Sequence, residues 1–143
     1  MADRGRYFMD ACVPIYAAGG EHPYKESCAR IIMGIARREI EAATDTEVIQ
    51  EVAYRFHAIG RRAEGLEVAE GVLSLMQEVL PVTRRDATRF VELQRSYPFL
   101  STRDAVHVAV MIGAGLGLII SADRHFDGVP EVHRVDPLDL HLD

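Results

Sequence analysis

The 143-residue chain has two cysteines, one lysine and no long uninterrupted apolar segment, and each shortage removes a class of function. Cys12 and Cys28 have neither the spacing of a zinc site nor that of a redox CxxC pair, so they are expected to be reduced thiols without a chemical role. The longest apolar run, Val108 to Ile120, covers 13 residues and carries three glycines, too short and too broken to cross a bilayer. The opening residues Met1 to Arg6 do not read as a secretory signal, and a soluble, cytoplasmic protein is expected. Lys25 is the only lysine, so the late strand-end lysine of a phosphoryl-receiver domain has no counterpart. There is no P-loop GxxxxGK[ST] and no GxSxG, and the glycines Gly113, Gly115 and Gly117 precede their strand, whereas a dinucleotide fingerprint follows one. No repeat, linker or low-complexity stretch is evident. One domain over residues 1–143 is expected, with a loose acidic tail from about residue 137.

What is present is a 48% hydrophobic chain, enough for one sizeable core, with a net charge of −6. That charge argues against broad electrostatic attachment to nucleic acid, but not against a nucleic-acid enzyme whose acidic site is neutralised by bound cations. Of the 16 basic residues 15 are arginine, a bias that suits phosphate recognition and that a GC-rich genome would equally produce.

Hydrophobic periodicity predicts alternating strands and helices. Tyr7-Phe8-Met9 reads as a short buried strand ending in Asp10, followed by a helix from Ala11 to Ala18 that Gly19-Gly20 closes. Pro23 to Glu39 reads as a helix and Ile40 to Ala43 as a weak strand. Thr44 or Thr46 then caps a helix through Ile59, with Val48, Val52, Phe56 and Ile59 inward. Leu66 to Glu78 is a further amphipathic helix, and Val79 to Val82 is at most an edge strand because of Pro81. Thr83 caps Arg84 to Ser96, with Asp86 at the capping-box position. Ser101 or Thr102 caps an almost wholly apolar helix with Asp104 in its first turn. The run Leu118-Ile119-Ile120 is a strand followed by Ser121-Ala122-Asp123, and Val132 to Val135 is the last strand. This alternation implies an α/β domain, a three-layer α/β/α sandwich with a mainly parallel central sheet. Parallel strands end at one edge, so Asp10 and Asp123, 113 positions apart, should be neighbours.

Each acid has a structural and a chemical reading. Asp10 interrupts an apolar run where a buried charge costs several kcal/mol unless paired or metal-bound, or it caps the following helix. Asp104 fits a first-turn acid favoured by the helix dipole, and gains weight from facing the same strand ends. Asp123 is a turn acid or a site acid, with Asp127 a weaker version of the same. Glu51 lies beside the apolar stripe, Glu47 one turn earlier. His107 and His125 are left outside the metal shell, since a lone histidine in an apolar helix is more often a hydrogen-bonded core residue. The candidate set is all oxygen. Converging carboxylates repel unless a proton or a hard divalent cation relieves them, which points to Mg²⁺ or Mn²⁺ and to phosphodiester or phosphate-ester hydrolysis.

These stretches also resemble a known family. Tyr7-Phe8-Met9-Asp10, Glu51 within Thr46 to Val52, Ser101-Thr102-Arg103-Asp104-Ala105-Val106-His107, and Ile119-Ile120-Ser121-Ala122-Asp123 are similar to the motifs of PIN-domain ribonucleases, above all VapC-type toxins. The similarity runs from Arg6 to about Pro137. It implies a PIN-like fold, a metal-dependent endoribonuclease that cuts RNA, and a homodimer silenced by a small antitoxin protein. It further implies Asp10, Glu51, Asp104 and Asp123 as catalytic residues, with Asp10, Asp104 and Asp123 binding Mg²⁺ or Mn²⁺ and Glu51 ligating or orienting the attacking water. The arginines of Tyr54 to Arg62 are either a contact for RNA phosphates or a solvated stripe. Two other classes stay open: a catalytically silent module that binds RNA or protein, and a phosphatase-like or DNA-directed enzyme on the same acids.

Overall fold

The computed structural model describes residues 5–141. Its centre is a five-stranded sheet, β1 (Tyr7–Met9), β2 (Ala42–Asp45), β3 (Glu78–Leu80), β4 (Leu118–Ile120) and β5 (His133–Val135), in the order β3-β2-β1-β4-β5. All four pairings are parallel. Six helices cover it: α1 (Cys12–Ala18), α2 (Lys25–Ala36), α3 (Thr46–Ala58), α4 (Arg62–Leu75), α5 (Arg84–Ser96) and α6 (Thr102–Ala114).

Side-chain alternation along the strands divides the core in two. Phe8, Ala43 and Ile119 face Val52, Phe56, Val108 and Met111 of α3 and α6. Met9, Ala42 and Ile120 face Val13, Cys28, Ile31 and Val72 of α1, α2 and α4. The short apolar strands thus form because both their faces are covered, as expected of a parallel sheet between helix layers.

The order of the strands decides where a site can form. The chain runs outward from β1 through β2 to β3, then returns to lay β4 on the other side of β1. The gap between β1 and β4 is therefore the switch point, the place in an open parallel sheet where loops part and leave a crevice. Met9 pairs with Ile120 there, so Asp10 and Ser121 leave the sheet side by side.

Several boundaries differ from those read from sequence. Strand β2 starts two residues later than Ile40 and runs through Thr44 into Asp45, which caps α3 by accepting the Val48 N–H; neither threonine is the cap. Helix α4 begins at Arg62, four residues before Leu66, because Gly65 packs within 2.5 Å of Phe56 Cβ, measured from its would-be Cβ, and draws the first turn onto α3. β3 takes Glu78, and Pro81 falls just outside it. Thr83 and Asp86 form the reciprocal capping box of α5, and Ser101 caps α6, which ends at Gly115 in the left-handed conformation. Of the tail expected to be loose, Pro137 is buried and Leu140 packs on the second core cluster, while residues 142 and 143 lie outside the described residues.

Candidate functional site

A cleft of about 820 Å³ opens at the carboxyl edge of the sheet, over the switch point, lined by Asp10, Glu51, Asp104 and Asp123 among others. Four different segments supply them. Asp10 follows β1, Glu51 lies on α3, Asp104 in the first turn of α6, and Asp123 three residues past β4.

Asp10 is held by its own strand end. Its Oδ1 accepts the Ala11 N–H at 2.8 Å and its Oδ2 accepts the Ser121 hydroxyl at 2.6 Å. The same hydroxyl accepts the Asp123 N–H at 3.0 Å, so one buried serine ties the ends of β1 and β4 together. Burial pushes the Asp10 pKa up, against the opposing effects of His107 and Ser121. Asp104 is 8% exposed and its pKa is raised to about 7, by burial first, then by the charge of Asp10 and by a hydrogen bond to Asp123 that its proton supplies. Asp123 Oδ1 in turn accepts the His125 N–H at 2.9 Å.

Behind these acids stands a histidine. His107 is fully buried on α6, its Nδ1 2.8 Å from Asp45 Oδ2, its Nε2 3.2 Å from Glu51 Oε1 and 4.0 Å from Asp10 Oδ1. Burial alone would lower its pKa. The hydrogen bonds to Asp45 and Glu51 and the surrounding negative charge outweigh that and raise it well above the ordinary value. Ligand-capable atoms of Asp10, Asp104 and His107 all lie within 4.8 Å of one another.

The paired alternatives stand in different surroundings. Glu51 lines the cleft, whereas Glu47 pairs with Arg103 at 3.4 Å. Asp123 lines the cleft, whereas Asp127 is gripped bidentately by Arg134 at 2.9 and 3.0 Å. Of the Tyr54–Arg62 stretch, Tyr54 and Arg55 reach the cleft wall, while Arg61 pairs with Glu64. Arg103, stacked 4.6 Å over the Tyr54 ring, is a second cleft arginine that the sequence reading did not single out. His107 is the hydrogen-bonded core histidine expected, but its partners make it part of the site. Asp45 was missed altogether. Its signal was there, an aspartate closing a short apolar strand as Asp10 closes β1, hidden by the two threonines that flank it.

The donors suit a hard divalent cation: carboxylate oxygens of Asp10 and Asp104 lie within 4.8 Å of one another, Asp123 lines the same cleft, and the negative charge that helps raise the Asp104 pKa is what a cation would relieve. Among the described residues no lysine or arginine is ion-paired with Asp10, Glu51, Asp104 or Asp123.

Residues 7–132 match the PIN domain family. The chain belongs to that family. Curated relatives of this PIN domain include a VapC ribonuclease of Mycobacterium bovis, 33% identical over 89% of the chain and 97% of the relative. Ribonuclease VapC7 of Mycobacterium tuberculosis is 32% identical over 90% of each. Among solved structures, the PIN fold here is similar to that of Mycobacterium tuberculosis VapC20, a sarcin-ricin loop cleaving toxin, with a TM-score of 0.73 and 16% identity over 87% of this chain and 95% of that one. It is similar as well to VapBC2 of Rickettsia felis bound to a promoter DNA fragment, with a TM-score of 0.71 and 14% identity over 92% and 98%. At such identities these structures speak for the fold.

Proposed function

We propose that this PIN domain is a cation-dependent endoribonuclease, the toxin of a type II toxin–antitoxin pair, which hydrolyses RNA phosphodiester bonds. The observation that carries the reading is the convergence of Asp10, Glu51, Asp104 and Asp123 on one cleft at the sheet's switch point. Curated relatives covering nearly the whole chain are named ribonucleases, and solved neighbours of the same fold include toxin–antitoxin complexes, which supports an RNA substrate and a small antitoxin partner. Cytoplasmic location and a homodimer belong to the same reading.

Asp10, Asp104 and Asp123 would hold the cation, Mg²⁺ or Mn²⁺. When bound, it would supply charge neutralisation at the scissile phosphate and a more acidic water. The chain's own groups do the rest. Ser121 donates to Asp10 and accepts from Asp123, keeping both carboxylates aimed into the cleft. Glu51, which lines the cleft with Asp10 and Asp104, is the base that orients water and takes its proton. Arg55 and Arg103 on the cleft wall offer guanidinium groups to flanking phosphates, and Tyr16, Tyr54 and Phe99 offer rings on which unpaired bases stack.

The test is cleavage of a mixture of total tRNA and ribosomal RNA by the purified protein with Mg²⁺ or Mn²⁺, with and without chelator, beside Asp10→Asn. Cation-dependent cutting that the substitution abolishes while the thermal melt stays cooperative is the expected result. Cutting that survives both chelator and Asp10→Asn would remove the assignment, and RNA binding without cutting would turn it toward a silent binding module.

A further inference from the structure

The endoribonuclease reading leaves the Asp45–His107–Glu51 chain unused, although two of its three members are fully buried. Asp45 and His107 side chains are both 0% exposed, and Glu51 is 15% exposed where it meets the cleft. Capping α3 needs only one oxygen, and Asp45 Oδ1 provides it to the Val48 N–H at 2.9 Å. Serine or asparagine would cap as well without burying a charge. The second oxygen, Oδ2, is aimed at His107 Nδ1 instead. His107 sits three residues after Asp104, hence on the same face of α6, and its ring crosses to α3 to reach Glu51. Both ring nitrogens face carboxylate oxygens, which only accept, so both nitrogens must donate. A nitrogen that donates to Glu51 has no lone pair to offer a cation.

We propose that His107 is a positioning residue: anchored at Nδ1 by Asp45 of β2, it donates from Nε2 to Glu51 and fixes that carboxylate in the cleft opposite Asp10 and Asp104. Asp45 acts one step further back, setting the ring's orientation. The inference rests on the ribonuclease reading of the cleft, in which Glu51 needs a defined place.

The experiment is a double-mutant cycle of His107→Leu and Glu51→Gln, with kcat and KM for RNA cleavage and calorimetric Mn²⁺ affinity of the RNA-free protein. His107→Leu is expected to lower kcat by about 10- to 100-fold, the usual cost of losing a partner of a site carboxylate, with KM unchanged. In the Glu51→Gln background the same change should matter by less than about twofold, because residues acting as a unit are not additive. His107→Gln, whose amide N–H can still donate to Glu51, should recover part of the loss. Asp45→Asn, which keeps the cap and turns its amide to Nδ1 so that Nε2 still carries a proton, should fall between wild type and His107→Leu. If His107→Leu does not fold, His107→Phe, a ring of similar shape that cannot donate, takes its place in the cycle.

Equal factors in both backgrounds would mean a merely structural ring and would overturn the proposal. So would an Mn²⁺ affinity that His107→Leu weakens as much as Asp10→Asn does, since the ring would then be a ligand. Failure of the underlying reading looks different: there Asp10→Asn itself keeps full cleavage.

Discussion

In chelator the folded protein keeps a proton on Asp104 that the unfolded chain gives up, and this difference can be read as a stability slope. The unfolded carboxyl titrates near 3.8, the folded one at about 7, so between those values the native state binds more protons than the unfolded state. Stability must then fall as pH rises, by about 1.4 kcal/mol per pH unit for one group. From pH 4.5 to 6.5 Asp104 alone removes about 2–3 kcal/mol. Asp10, also raised, acts in the same direction. His107 stays out of this window: its folded pKa is raised above 6.5, so its stabilisation is complete below 6.5 and is lost only as pH climbs through the folded value. The lowered pKa values of Asp127 and Asp136 act below about 4, where the unfolded carboxyls titrate.

Asp104→Asn has no proton to give up on unfolding, and in the fold it is as uncharged as the protonated Asp104 it replaces. Calorimetric melts in chelator should show the wild type losing roughly 8 °C more than the variant between pH 4.5 and 6.5, at about 3 °C per kcal/mol for a chain of this size. The variant should be the more stable protein at pH 6.5 and is expected to have lost cleavage. Saturating Mn²⁺ should favour the wild type increasingly as pH rises, because the ion competes with the proton for the same oxygens. Parallel melting curves for the two proteins in chelator would refute the reasoning, since they would mean that Asp104 is ionised in the fold without cost.

Two further expectations concern the scaffold. Ser121→Ala leaves Asp10 Oδ2 and the Asp123 N–H without their shared partner and should cost about 1–3 kcal/mol in urea melts near neutral pH; a change under 0.5 kcal/mol would mean that water replaces the hydroxyl. Gly65→Ala places a methyl 2.5 Å from Phe56 Cβ and 3.3 Å from the Ala53 carbonyl oxygen. Neither neighbour is the far end of a flexible side chain, so prising α4 off α3 should cost about 1–3 kcal/mol, and an unchanged or raised melting temperature would show that the helices separate freely.

The layered parallel fold was legible because its strands are apolar runs and its helices carry their own caps, as Thr83 with Asp86 and Ser101 before Asp104 illustrate. Strand order was not legible in itself: any parallel sheet sends the ends of β1 and β4 to one edge, but only the order sets them side by side at the switch point. The acid set followed from that edge and from the family motifs together. Glu51 rather than Glu47, and Asp123 rather than Asp127, came from the family motifs; the surroundings that distinguish them in the fold, His107 beside Glu51 and Arg134 on Asp127, lie 56 and 7 residues away in sequence and were not readable locally. Asp45 escaped for a related reason. Its place at a strand end was readable, but its pairing with His107 exists only because α6 lies across α3.

Among the described residues His107 is the one fully buried basic side chain, and it faces Asp45, Glu51 and Asp10 together. That arrangement bears on how such an acidic cleft would persist in chelator. The ring supplies one positive charge from behind, and the proton on Asp104 removes one negative charge in front. These two devices are not equivalent. The ring is tied by two hydrogen bonds and stays whether or not a cation arrives, whereas the Asp104 proton occupies oxygens that a cation would need. Acid therefore helps the cation-free fold and hinders the site, and the pH that best preserves the protein in chelator is the one at which it should take up Mg²⁺ or Mn²⁺ least readily.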